Sequence, residues 1–138
     1  MTDTAPRHQQ RERALSLLYE AELKGEGPLT IVEALPVPPD AFVRSLVAQA
    51  VATRDEADRR IAAASVGWPI ERMAVIDRIV LRLAVGEMLD PDGPPVAVVI
   101  DEAVELVKEY STDESGRFVN GILSTIATDL APGEPPPG

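Results

Sequence analysis

The stretch that most constrains this chain is Ile76 to Leu89, IDRIVLRLAVGEML, with the lead-in WPIERM at residues 68–73. Its apolar residues (Ile76, Ile79, Val80, Leu81, Leu83, Ala84, Val85, Met88 and Leu89) cover most of a helical circumference. A helix apolar nearly all round must be surrounded by other elements. The few polar positions are Asp77, Arg78, Arg82 and Glu87. Arg78 and Arg82 are four apart, the spacing of side chains that share one helical edge. The spacing therefore predicts a central core helix with a narrow exposed polar edge.

What surrounds it is also expected to be helical. The 138 residues suit one domain, and aromatics are only 4%, so aliphatic side chains must fill the core. Helical patterns recur from about Arg7 to Lys24, with an apolar stripe from Ala14, and over Phe42 to Ala50, Val96 to about Tyr110 and Phe118 to Leu130. Thr30 to Leu35 predicts a short helix, with Thr30 as cap and Glu33 three residues on. Another helix is expected from Ile61 to about Ser65, after a polar joint over Thr53 to Asp58. Pro36-Val37-Pro38-Pro39 and Asp90-Pro91-Asp92-Gly93-Pro94-Pro95 are connectors. Trp68, followed by Pro69, reads as a core wedge, and Gly121 as a close approach between backbones. No strand alternation occurs. The expected fold is all-α, about seven helices in one domain over residues 7–130, with disordered segments at 1–6 and 131–138.

Several classes of chemistry are disfavoured. There is no cysteine, and the single histidine, His8, lies near the start. No phosphate loop, nucleophile elbow or metal-ligand spacing is present, so neither a metal nor an organic cofactor is expected. Asp101, Glu102, Glu105 and Glu109 read as an exposed acidic face rather than a catalytic pair, which would need a pocket to separate their pKa values. With no apolar run of membrane-spanning length and no secretory signal, a soluble cytoplasmic protein is the expectation. Net charge is −10, but the excess lies late: from Leu83 onward there are eleven acidic residues against Lys108 and Arg117. Up to Arg82 the count is eleven basic and twelve acidic, which leaves room for a local basic face. The apolar stripe of the first helix fails before Ala14, so its first turns are expected to overhang, carrying Arg7, His8 and Arg11. These residues suit RNA phosphates or an ordinary solvated helix start, and charge alone does not separate the two.

Ordered motifs carry the reading further. Trp68-Pro69-Ile70-Glu71-Arg72-Met73, Asp77-Arg78-Ile79-Val80-Leu81-Arg82-Leu83-Ala84 and Glu87-Met88-Leu89 are followed by Pro95 to Lys108 and by Arg117-Phe118-Val119-Asn120-Gly121-Ile122-Leu123. With Arg11-Glu12-Arg13-Ala14 and Leu17-Leu18-Tyr19, this set resembles the NusB transcription antitermination family over nearly the whole chain. The resemblance implies two small packed helical bundles and a non-catalytic RNA-binding protein. It implies pairing with the ribosomal protein NusE, binding of the single-stranded boxA element of nascent ribosomal RNA leaders, and service in an RNA polymerase antitermination complex. On this resemblance Arg7, His8, Arg11, Tyr19, Glu114, Arg117 and Phe118 are candidate RNA contacts. Arginines would hold phosphates, and Tyr19 or Phe118 would offer stacking faces. Asp77, Arg78, Arg82 and Glu87 are candidate NusE contacts. Two departures stand out: His8-Gln9-Gln10 occupies a place that is often basic in the family, and Gly86 one that often holds a tyrosine or another larger side chain. Other readings stay open. They are the NusB-like domain of an RNA methyltransferase, which would need a cofactor-binding domain in the same chain, and a helical interaction scaffold or homodimer with weak or lost RNA binding.

Overall fold

The structure, a computed structural model, describes residues 5–131, and every regular element among them is helical. In chain order these are α1 (Arg7–Lys24), α2 (Pro28–Glu33), α3 (Ala41–Ala52), α4 (Arg54–Ala64), α5 (Val75–Leu89), α6 (Val96–Tyr110) and α7 (Asp113–Leu130), with a 3-10 turn at Ile70–Arg72 before α5. Helices α1, α2 and α3 pack together, as do α4, α6 and α7, and α5 touches both groups. The expected central helix is therefore the seam of two bundles. Its Leu81 and Val85 are fully buried, and Ile79, Val80, Leu83 and Ala84 nearly so. Each of these leucine, isoleucine and valine side chains contributes about 1.5–3 kcal/mol by leaving water.

Boundaries follow local chemistry. Gly25 closes α1 in the left-handed conformation (φ 65°) that glycine adopts without strain. Helix α2 begins two residues earlier than expected because Pro28 occupies its first turn, which displaces Thr30 from the cap. The joint before α4 shrinks to Thr53, with α4 starting at Arg54. Only Ala57 and Ile61 of α4 are buried, so its apolar signal is sparse. Thr112 caps α7, its hydroxyl accepting the Ser115 N–H at 3.0 Å.

Three expectations are corrected. The first turns of α1 do not overhang: Gln10 and Arg11 are buried, Gln10 donating to the Ala5 carbonyl and Arg11 to Glu87. These residues cover the core with polar side chains, which an apolar stripe cannot reveal. Trp68 is 51% exposed, because Gly67 (φ 78°) and Pro69 carry the chain around the outside of the bundle. Gly121 is exposed, and a methyl group there would meet nothing within 4 Å. The close approach is at Gly86 instead, where an added Cβ would lie 3.2 Å from Thr53 Oγ1 and 3.4 Å from Gln49 Cγ. Gly86 thus lets α5 press on the end of α3. The expected tails reach residues 1–4 and 132–138, which lie outside the described residues. Among the described residues no helix is long and apolar enough to cross a membrane.

Candidate RNA and partner interface

The polar residues of α5 do not form one exposed edge. They radiate, each to a different neighbour. Glu87 receives two bonds from Arg11 of α1, 3.0 Å from Nε and 2.7 Å from an Nη, with both side chains at most 7% exposed. Burial alone would lower the Arg11 pKa, but the bonds and charge of Glu87, with the charge of Glu102, raise it above its ordinary value. Arg78 donates to Glu22 of α1 at 2.8 Å. Arg82 grips Asp58 of α4 with two bonds of 2.7 and 3.1 Å. Asp77 accepts from Ser115 of α7 at 2.8 Å. The expected exposed edge is thereby corrected: Glu87, Arg78 and Arg82 are ion-paired between helices and Asp77 is hydrogen-bonded to a hydroxyl, the kind of partnering a helix surrounded by protein requires of its polar groups.

The first turn of α1 is held in the same manner. The Arg7 guanidinium lies 4.0 Å from the centre of the Phe42 ring on α3, and an Nη donates to Gln10 at 3.3 Å. The residue as a whole stays exposed. Arg11, also near Phe42 at 5.4 Å, is sealed beneath. The two arginines are thus separated: one reaches solvent and the other holds the fold. His8 faces α6, its Nδ1 2.7 Å from Glu102 and its Nε2 3.0 Å from Glu109. The hydrogen bond with Glu102 is the chief reason its pKa rises above 6.5; burial opposes the rise, while Glu109 and both charges add to it.

The start of α7 carries the rest of the expected RNA set. Glu114 and Arg117 are exposed, and Phe118 is half-buried against the core. Tyr19 of α1 is 36% exposed. Beside Phe118 opens a groove of about 510 Å³ lined by Val66, Trp68, Met73, Asp77 and Ser115 and bordered by Arg72 and Glu114. Within its wall the Asp77 Oδ1 is buried without a hydrogen-bond partner, an uncommon state for a carboxylate oxygen. The sequence reading missed Trp68 as a wall of this groove and Ser115 as the donor to Asp77. The signal for Trp68 was available: the indole stands between Gly67 and Pro69 and outside any apolar stripe.

This arrangement offers no catalytic constellation among the described residues: its acids are salt-bridged, hydrogen-bonded or solvated. It offers instead exposed aromatic and basic side chains on separate helical elements: Arg7 and Tyr19 on α1, Trp68 ahead of α5 and Arg117 on α7. The model of the NusB family matches residues 8–128. The chain belongs to the NusB family. Among its relatives is the transcription antitermination protein NusB of Saccharopolyspora erythraea, 44% identical over 127 residues that cover 88% of this chain and 86% of that one. The NusB of Streptomyces griseus is 40% identical over 137 residues, covering 93% and 95%. A solved NusB of T. maritima superposes with a TM-score of 0.83 at 35% identity, covering 96% of each chain. A crystal structure of the antitermination factors NusB and NusE in complex with double-stranded RNA contains a chain that matches with a TM-score of 0.76 at 30% identity, over 90% of this chain and 97% of that one. The predicted all-helical NusB fold is thus the observed one.

Proposed function

We propose that this chain is a non-catalytic transcription antitermination factor of the cytoplasm. With the ribosomal protein NusE it binds boxA-type single-stranded RNA of nascent ribosomal RNA leaders and helps RNA polymerase read through terminators. The observation that carries the reading is the family match across residues 8–128. The likeness to a NusB crystallised with NusE and RNA supports it. In this reading RNA follows the rim made by α1 and the start of α7. Arg7 and Arg117 meet phosphates, Tyr19 and Phe118 stack with bases, and Glu114 accepts from base amino groups. His8 and Arg11 position the first helix beneath them. NusE covers the groove whose wall holds Asp77, and Asp77, Arg78, Arg82 and Glu87 hold the helices behind that surface.

The test is equilibrium binding to a boxA-like RNA and to its scrambled counterpart, with NusE present, across a salt series. Preferential boxA binding that weakens with salt is expected, with a log–log slope of roughly −0.7 per phosphate contacted. Equal affinity for both RNAs would overturn the reading. Sedimentation of the same samples tells RNA-bound protein from a homodimer that covers α1.

A further inference from the structure

We propose that His8, Glu105 and Glu109 form a site for a divalent transition-metal ion, such as zinc(II), that clasps α1 to α6. One ligand atom from each of the three lies within 4.8 Å of the others. They come from two helices, with Glu105 and Glu109 one turn apart on α6, so the juxtaposition belongs to the fold rather than to one mobile segment. The donor set, one imidazole nitrogen with carboxylates, suits zinc and its borderline neighbours better than calcium or magnesium, which favour oxygen alone.

The imidazole is already oriented for this role. Glu102 Oε2 lies 2.7 Å from Nδ1 and holds a proton there. That leaves Nε2 directed at Glu109, 3.0 Å away. A carboxylate behind a metal-ligating histidine is the usual device that sets its tautomer. Zinc binds nitrogen at about 2.0–2.1 Å and carboxylate oxygen at about 2.0–2.2 Å in a tetrahedron. Two such ligand atoms stand roughly 3.3–3.5 Å apart, so the Nε2–Glu109 pair needs to open by only a few tenths of an ångström. Glu105 Oε2 lies 4.0 Å from Nδ1 of the same ring, and its mostly exposed carboxylate swings towards Nε2 to join the ion. Water completes the tetrahedron. The metal takes the place of the proton on Nε2, and that proton passes to solvent.

Charge argues in the same direction. Glu12, Glu102, Glu105 and Glu109 converge on this corner, Glu12 accepting from the Tyr110 hydroxyl. Among the described residues none of the four has a lysine or arginine ion pair; Glu102, Glu105 and Glu109 face His8. Arg11 is close enough for its charge to interact with Glu102, but its guanidinium is bonded to Glu87. The corner therefore has an excess of negative charge around one imidazole, and a dication in place of the Nε2 proton lowers it.

The test is calorimetric titration of the chelator-stripped full chain with zinc(II) chloride, repeated with cobalt(II) chloride to read its visible absorption. It is run about one unit above the ordinary histidine pKa. One equivalent should bind saturably. Glu102→Gln should weaken binding about 10–100-fold. His8→Ala and Glu109→Gln should weaken it at least as much, and the distant Glu26→Gln should leave it unchanged. His8→Ala also removes the α1–α6 hydrogen bonds, so Glu105→Gln, which keeps them, serves as the second variant and should weaken zinc too. No saturable isotherm, or wild-type affinity in Glu105→Gln and Glu109→Gln, would overturn the proposal.

Discussion

Arg7 and Arg11 stand one turn apart on the same helix, yet they belong to different regions of the molecule. Arg11 lies in the hub around α5, sealed and bonded to Glu87. Arg7 lies on the rim, exposed above Phe42. The same contrast runs through the other candidate residues. Arg78, Arg82 and Asp77 reach from α5 to α1, α4 and α7, whereas Glu114 and Arg117 point outward from the cap of α7. Hub charges fix how the two bundles meet. Rim charges stay exposed to solvent. One residue type thus serves two ends, and burial decides which.

The largest effect should come from the hub. Arg11→Ala, or Glu87→Ala, leaves a buried charge unpaired and should lower unfolding stability by about 3–5 kcal/mol in urea. A change below about 1 kcal/mol would place the pair among surface salt bridges and erase the contrast. Thr112→Ala removes the cap that sets the start of α7, and a loss of about 1 kcal/mol is expected by the same method. If Glu114, Arg117 and Phe118 act together on RNA, the same substitution should also weaken RNA binding.

On the rim the balance reverses. Arg117→Ala should change stability by no more than about 0.5 kcal/mol. It should flatten the salt slope of RNA binding by about 0.7, the amount for one phosphate. Unchanged slopes in both Arg117→Ala and Arg7→Ala would remove the rim arginines as phosphate contacts.

The smallest effect is a pH dependence. The folded-state pKa of His8 is raised, so its stabilising contribution is full below the unfolded value of 6.5. That contribution is lost as pH rises through the higher folded value. Urea midpoints followed across that window should fall in the parent protein and not in His8→Gln, once other titrations are subtracted. A parallel fall in both would show that the clasp with Glu102 and Glu109 contributes nothing.

These contrasts also show what a sequence displays and what it conceals. The ends of α1 and α6 and the near-complete burial of α5 were legible, because apolar spacing and glycine or proline punctuation are local signals. The start of α4 was not, since two buried residues make no stripe. The close approach falls at Gly86 rather than Gly121 for a related reason: whether another helix crosses at either glycine depends on packing that neither position encodes locally. The candidate residues divide in the same way. Family motifs marked Tyr19, Glu114, Arg117 and Phe118, which the fold leaves at least partly open to solvent. Arg11 and Glu87 looked available because their partnership spans 76 residues of chain. An arginine in a helical stripe gives no sign of whether it meets solvent or a buried acid.

The separation of hub from rim is tested most directly by a double-mutant cycle on Arg11 and Glu87 in urea denaturation. Arg11→Ala, Glu87→Ala and the double variant should give a coupling of roughly 1–3 kcal/mol, the double variant losing far less than the sum. Additivity within about 0.3–0.5 kcal/mol would contradict it, because the two side chains would then not stabilise the fold through each other.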